Sequence, residues 1–172
     1  MAETNPMREL LVEKVTVNIG VGSPGERLDF AKQLIGKLAG DRKPIETNAR
    51  KREPVFKLRK GLAIGAKVTI RGKPALEFLE KAFTAKRKVI SKRNFDKEGN
   101  FSFGVAEYID FPGAKYDPEI GMFGFDVCVT VMRRGKRVTK RKLGKTKIGN
   151  KHKVSKDESI AFVQDKFGVK VE

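Results

Sequence analysis

Hydrophobic and polar residues alternate in four stretches of the chain, which is the pattern of a β-strand with one buried face. These stretches are residues 15–19, 66–71, 101–105 and 123–131. In the first two, the polar residues would share the face that points away from the core; they are Thr16, Asn18, Lys67, Thr69 and Arg71. The last stretch alternates over nine residues and predicts the clearest strand of the chain.

Apolar residues at helical spacing follow three possible helix starts, near residues 23, 73 and 155. The first start offers Ser23 as the N-cap and Glu26 as its capping-box partner, and Gly40 would end that helix. The third start repeats the signature with Ser155 and Glu158.

Strands and helices follow one another without a regular βαβ alternation, which favours the α+β class. We predict a single antiparallel-rich mixed sheet with helices packed on one face, basic loops and a basic C-terminal extension. The 172 residues suit one domain. We expect residues 9–132 to form its core, residues 133–154 a basic arm, and residues 155–172 a C-terminal helix and tail.

Charge identifies the class of partner. Lys and Arg number 38 against 21 Asp and Glu, so the formal net charge is +17. Solubility alone requires a net charge of magnitude about 2–8 in a small domain, whereas nucleic-acid phosphates release counterions to Lys and Arg. The excess of positive charge therefore predicts a nucleic-acid partner.

Several other classes of protein are disfavoured. No stretch approaches the roughly 20 apolar residues of a membrane span, and the polar residues 1–8 do not form a signal peptide. Cys128 stands alone, so it cannot form a disulfide within the chain, and its place in an apolar alternation predicts a small core residue. Because His152 is the only histidine, no His/Cys metal cluster is expected. We expect no cofactor, no membrane partner and no enzymatic activity.

Residues 20–25 read Gly-Val-Gly-Ser-Pro-Gly and match the G-x-G-x-x-G turn of dinucleotide-binding folds. Such folds place an acidic residue at the end of a second parallel strand, about 20 positions further on. Here Glu46 lies between Pro44 and the basic run at 50–52 instead. A tight strand-to-helix turn explains the glycines without a nucleotide, so a nucleotide-dependent enzyme is the weaker hypothesis.

Two basic segments are the strongest candidates for contact with RNA. Residues 42–61 form a predicted strand fragment and long loop, in which Phe56 would either stack on a base or fold back onto the core. Residues 133–154 contain eleven Lys or Arg and no acid. We expect this arm and residues 51–60 to be mobile in the free protein, and the arm to become ordered along RNA.

Five motifs in order resemble the large-subunit ribosomal protein five family. They are VNIGVG at 17–22, TNARK at 47–51, GAKVTIRG at 65–72, GNFSFGV at 99–105 and YDP at 116–118. Further matches, NPMR at 5–8, RVTKR at 137–141 and GNKHK at 149–153, are similar to the archaeal and eukaryotic branch.

The resemblance implies a non-enzymatic protein of the cytoplasmic ribosome that binds 5S ribosomal RNA through the polar sheet face and helps seat it in the central protuberance. It also implies contacts with 23S ribosomal RNA, other large-subunit proteins of the central protuberance, P-site transfer RNA and a small-subunit head protein across an intersubunit bridge. A free regulatory RNA-binding protein outside the ribosome is the alternative.

Candidate contact residues fall into three groups. Those for 5S ribosomal RNA are Asn18, Gly20, Thr47, Asn48, Arg50, Lys67, Thr69 and Arg71. The loop facing transfer RNA would carry Lys51, Arg52, Pro54, Val55, Phe56, Lys57 and Arg59. Candidates for other RNA or intersubunit contacts are Arg133, Arg134, Arg137, Lys140 and Arg141.

Overall fold

The computed structural model describes residues 5–40 and 42–172. Its strands and helices are β1 (Leu10–Gly20), α1 (Glu26–Leu38), β2 (Ile45–Asn48), β3 (Ala63–Ile70), α2 (Lys73–Ala85), β4 (Val89–Ile90), β5 (Phe101–Val105), β6 (Phe125–Arg133), α3 (Lys156–Phe167) and β7 (Lys170–Val171). Five strands form one antiparallel sheet in the order β2-β3-β1-β6-β5. The predicted α+β class is confirmed.

The inner face of this sheet consists of the apolar half of each alternation. Val15, Val17 and Ile19 of β1 are buried, as are Val68 and Ile70 of β3. Helices α1 and α2 bury their apolar stripes in the same core; the buried residues are Leu28, Ala31, Leu34, Ile35, Ala75, Phe78, Leu79, Ala82 and Phe83. Burying each large apolar side chain contributes about 1.5–3 kcal/mol. A one-residue slip would exchange the two faces, so this core fixes which residues point outward.

A second, parallel pair of strands lies outside the main sheet. β4 follows α2 and β7 follows α3, and they pair through Val89 with Lys170 and Ile90 with Val171. The predicted single mixed sheet is therefore corrected. Among the described residues the large sheet is wholly antiparallel, and parallel pairing is confined to this two-stranded ladder. The end of the chain returns to β4 because Val169 packs into the shared core.

The helix starts test the two predicted capping boxes. At α3 the box is confirmed: Glu158 N–H donates to Ser155 Oγ at 3.4 Å, and Ser155 N–H donates to Glu158 Oε2 at 3.0 Å. At α1 the box is wrong. The helix begins at Glu26 with Gly25 as its N-cap and no side-chain cap. Gly25 has a φ of 130°, which only glycine adopts readily, so the turn extends past Ser23.

Cys128 is exposed, and its prediction as a core residue is wrong. It lies between Val127 and Val129 of β6, both of which point into the core. Because successive side chains of a strand point to opposite faces, Cys128 lies on the outer face of the sheet.

Candidate nucleic-acid interface

The outer face of the main sheet is polar and follows the strand register. We define it as fourteen outward-pointing strand residues: Lys14, Thr16, Asn18, Gly20, Ile45, Thr47, Gly65, Lys67, Thr69, Ser102, Gly104, Asp126, Cys128 and Thr130. Directly paired residues of adjacent strands have Cβ atoms about 4.5–5.5 Å apart. The register therefore decides which of these polar groups can bind one ligand together.

Two rows of the outer face contain predicted contact residues. Asn18 pairs with Lys67, and Thr16 pairs with Thr69. An Asn side chain both donates and accepts hydrogen bonds, and Lys supplies a mobile positive charge. This combination suits base edges, 2′-hydroxyls and phosphates on one strand of RNA.

A third row lies where β1, β2 and β3 approach most closely. Thr47 pairs with Gly65, which pairs with Gly20. A Cβ on Gly65 would lie 2.6 Å from Ile19 O and 2.8 Å from Thr47 Oγ1. Only glycine fits there, so the Thr47 hydroxyl lies over the Gly65 backbone, beside Gly20.

The basic loop between β2 and β3 is a hydrogen-bonded pin, defined here as residues 49–62. Ala49 N–H donates to Leu62 O at 2.8 Å, and Glu53 and Leu58 exchange backbone hydrogen bonds of 3.1 and 2.9 Å. Lys57, with a φ of 55°, donates to Pro54 O at 3.0 Å and closes the turn. The tip side chains project into solvent.

Phe56 is 72% exposed and Val55 is 80% exposed at that tip. Phe56 therefore does not fold back onto the core, which was one of the two alternatives. An exposed aromatic ring on a basic pin is available for stacking on a base.

The two ends of the arm, residues 133–154, are in contact with each other. Arg133 Nη2 donates to Glu158 Oε1 at 2.6 Å, and Nη1 donates to Lys151 O at 3.2 Å. The His152 ring lies 2.9 Å from Arg134 O through Nε2, which must carry the proton because a carbonyl only accepts. The first and last residues of the arm are thus held together beside the start of α3.

Two carboxylates hold the arm through their charge. The Ser155 N–H lowers the pKa of Glu158, burial opposes this, and Arg133 adds to the lowering. Burial opposes ionisation of Glu13, but its contact with Lys140 outweighs burial and lowers the pKa of Glu13. Arg134 also pairs with Glu9 at 3.3 Å. Because their pKa values are lowered, Glu158 and Glu13 stay ionised to a lower pH while the arm is in place.

Arg133 is the arm candidate whose position argues against contact with RNA. Its side chain is 11% exposed and is occupied by Glu158 and the Lys151 carbonyl. Arg137 and Arg141 are exposed, and Lys140 and Arg134 keep about half of their side-chain surface in solvent.

The pin and the arm lie at opposite ends of the sheet. The pin leaves the end marked by Gly20 and Gly65, whereas the arm continues from Arg133, which pairs with Leu10 at the other end of β1. Ten residue steps along β1 separate these ends, roughly 33 Å at about 3.3 Å per residue. Arg71 follows β3 toward the arm's end of the sheet, so it is separated from Thr47, Asn48 and Arg50.

The register adds outer-face residues that were not predicted. Ser102, Asp126, Cys128 and Thr130 lie on the face that carries Asn18 and Lys67. Their alternation with buried residues of β5 and β6 was a usable signal, because the same parity rule had placed Asn18 and Lys67 outward.

Comparison with known proteins identifies the family. Residues 5–59 match the family model described as Ribosomal protein L5, and residues 63–162 match the model that describes the C-terminus of the same ribosomal family. The chain belongs to the ribosomal protein L5 family. The protein named Large ribosomal subunit protein uL5 from Methanococcus maripaludis is 51% identical over 98% of this chain and 94% of its own length. The protein of the same name from Sulfurisphaera tokodaii is 50% identical over 99% of this chain and 98% of its own length.

Membership of the L5 family makes the chain a structural, non-enzymatic constituent of the large subunit of the cytoplasmic ribosome. It associates there with ribosomal RNA and other ribosomal components, which gives its positive charge a partner. The antiparallel pairing of β1 on both sides also differs from the parallel arrangement of a dinucleotide fold. No helix in the described ranges is long and apolar enough to cross a membrane. Residues 5–40 and 42–172 contain no cluster of metal-ligating side chains.

Proposed function

We propose that this chain binds 5S ribosomal RNA through the outer face and helps anchor it in the central protuberance. The pairing of Asn18 with Lys67, beside Thr16 and Thr69, carries the proposal. These groups combine hydrogen-bonding capacity with positive charge on a surface held by the core beneath it. The proposed 5S contacts also include Gly20, Thr47, Asn48 and Arg50 at the pin end and Arg71 toward the arm end.

The pin is the proposed contact with P-site transfer RNA. Its exposed tip presents Phe56 between flanking cations, and it projects beyond the sheet instead of lying on the outer face. Stacking needs no particular base, so such a tip suits a partner whose sequence changes at every codon. The candidate residues on the pin are Lys51, Arg52, Pro54, Val55, Phe56, Lys57 and Arg59.

The arm is the proposed contact with 23S ribosomal RNA or the small-subunit head, through Arg134, Arg137, Lys140 and Arg141. It lies roughly 33 Å from the pin end of β1, so it can bind a second RNA segment while the outer face holds 5S RNA.

We propose residues 9–132 as the core, residues 133–154 as the arm and residues 155–172 as the segment that ties the arm to the core. Neighbouring proteins of the central protuberance and a small-subunit head protein complete the proposed partners.

The salt dependence of binding tests the 5S contact directly. Each phosphate neutralised by a cation contributes about one unit to the slope of log affinity against log salt concentration. We expect Lys67→Ala to flatten the slope for a 5S transcript by about one unit, whereas Lys81→Ala, on the exposed side of α2, should leave it unchanged. Equal slopes for wild type and Lys67→Ala would remove Lys67 from the interface, and no binding by the wild-type protein at low salt would refute the proposed function.

A free regulatory RNA-binding protein would behave differently in native lysate. The proposed large-subunit protein should sediment with large ribosomal subunits, and a free protein should remain near the top of the gradient. Sedimentation near the top of the gradient would favour the alternative.

A further inference from the structure

A single carboxylate lies within the outer face. Asp126 of β6 is exposed, pairs with Asn18 on one side and is the only acid among the residues that define this surface. Within residues 5–40 and 42–172 no cation forms an ion pair with Asp126, and it makes no side-chain hydrogen bond there. An uncompensated negative charge on a surface that binds polyphosphate weakens binding unless the carboxylate itself makes a contact.

The other neighbour of Asp126 leaves the space beside the carboxylate open. Asp126 pairs with Gly104 of β5. A Cβ on Gly104 would meet Asp126 Oδ1 at 3.4 Å and no other atom within 4 Å outside its chain neighbours. The carboxylate therefore lies beside a position without a side chain, so no Cβ on β5 covers its Oδ1 oxygen from a ligand.

We propose that Asp126 and Asn18 form a subsite that reads an unpaired guanine of the bound RNA. An ionised carboxylate accepts hydrogen bonds only, through two oxygens. Guanine is the base whose Watson–Crick edge presents two adjacent donors, N1–H and the N2 amino group. The Asn18 amide, beside the carboxylate, can donate to the neighbouring O6 of guanine. Gly104, which has no side chain, leaves the carboxylate accessible to the base.

The other bases fit this pair of side chains less well. Cytosine and adenine present one amino donor beside an unprotonated ring nitrogen, which repels the second carboxylate oxygen. Uracil presents one N–H between two carbonyl oxygens. Unpaired bases are the usual targets of sequence-specific RNA recognition, because their Watson–Crick edges are free. This inference rests on the proposed binding of 5S RNA and adds base specificity to it.

Substitution of the carboxylate separates recognition from repulsion by the sign of its effect. Asp126→Asn removes a negative charge, so it should tighten binding to 5S RNA if Asp126 only repels phosphate. If Asp126 accepts from guanine, the same variant should bind the 5S transcript about tenfold more weakly, because a bidentate base contact discriminates by that order. Its affinity for an unrelated RNA of equal length should not fall. Asp110→Asn, which removes an exposed acid outside the outer face, is the charge-matched control and should not weaken 5S binding.

Two further measurements keep the outcome clear. Gly104→Ala places a methyl group against Asp126 Oδ1 and requires no unfavourable backbone angle, so it should also weaken 5S binding. The unfolding temperature of this variant shows that it folds. Kethoxal, which modifies N1 and N2 of unpaired guanine, should leave one guanine of 5S RNA protected by the wild-type protein and reactive with Asp126→Asn. Equal or tighter 5S binding by Asp126→Asn, or identical kethoxal patterns, would overturn the subsite while leaving the proposed function intact. Failure of the wild-type protein to bind 5S RNA would instead overturn the proposed function.

Discussion

The outer face and the arm represent two different ways of presenting polar groups to RNA. On the outer face, side chains such as Asn18 and Lys67 are held by strands paired on both sides and by a buried core beneath them. The arm carries far more charge, but it is held by a few side-chain contacts such as Arg133 with Glu158 and Lys140 with Glu13. Contacts to phosphate contribute affinity, whereas contacts to bases require fixed geometry. We therefore propose that the outer face provides specificity for RNA and that the arm provides general affinity.

The largest expected effect tests the geometry of the outer face. Gly65→Ala places a Cβ 2.6 Å from Ile19 O and 2.8 Å from Thr47 Oγ1, and β2 or β1 must move to admit it. We expect the free energy of unfolding to fall by about 2 kcal/mol, as overpacking of a tight site does. Chemical denaturation measures this change.

Gly20→Ala is the matched control for Gly65→Ala, because a Cβ on Gly20 would meet no atom within 4 Å. It should leave stability nearly unchanged. Amide exchange in Gly65→Ala should increase in β2 and β3 and stay constant in the arm. Equal destabilisation by both variants would show that the close approach at Gly65 is unimportant.

The next effect tests the base of the arm. Arg133→Met keeps an apolar stem but removes the guanidinium group, and with it the hydrogen bonds to Glu158 and Lys151 O. Hydrogen bonds to charged groups contribute about 1.5–3 kcal/mol when buried, and Glu158 remains partly in solvent, so we expect a loss of about 1.5 kcal/mol. Amide exchange of the last residues of the arm and the first turn of α3 should speed up.

Arg137→Met supplies the comparison for Arg133→Met, because Arg137 is exposed on the same arm. It should leave stability unchanged and reduce the salt dependence of RNA binding, which Arg133→Met should affect little. The opposite pattern, with Arg133 affecting the salt slope and Arg137 affecting stability, would reverse the roles assigned here.

Local patterns predicted the outer face better than the arm, for a physical reason. A period of two places Asn18 and Lys67 outward from a few neighbouring residues, because the pleat is local. The same rule applied to β6 would have placed Cys128 and Asp126 outward, but the residue type suggested a core cysteine. Which strands are neighbours depends on pairing between distant segments, so the alignment of Asn18 with both Lys67 and Asp126 needed the structure.

The contacts that hold the arm could not be predicted from local sequence patterns. The capping box at Ser155 is local and was predicted, but its Glu158 also binds Arg133, 25 residues earlier. No short-range period records such a contact. A run of cations therefore looked uniform, although Arg133 serves attachment and Arg137 points into solvent.

A smaller expected effect is that the arm loses order at low pH whereas the outer face does not. The pKa values of Glu13 and Glu158 are lowered in the folded protein, so each contributes stability that is present above the ordinary value of 4.5 and lost as pH falls through the folded pKa. We expect the arm to loosen in that range while the outer face, whose geometry depends on the core, stays ordered. The loss should be about 0.5 kcal/mol for each pair, typical of partly exposed ion pairs.

NMR chemical shifts of arm and sheet amides between pH 6 and pH 3 measure this difference. In the double variant Glu13→Gln, Glu158→Gln the response of the arm amides to pH in that window should be clearly smaller than in the wild-type protein, with the Arg134–Glu9 ion pair still present on the arm. Sheet and arm amides titrating together in the wild-type protein would contradict the separation.

The smallest effect uses Cys128 as a reporter within the outer face. Although Cys128 is exposed on the outer face, the surrounding protein partly desolvates its thiol and raises its pKa, and the charge of Asp126 adds to the rise. Less thiolate is present at neutral pH as a result, so alkylation by iodoacetamide should be a few-fold slower than in the unfolded chain. Bound 5S RNA should slow it further, because Cys128 pairs with Thr16 beside the proposed contact with Lys67. An unrelated RNA that binds through the arm should protect the thiol less at equal occupancy. Equal protection by both RNAs would show that the outer face and the arm do not divide specificity and affinity between them.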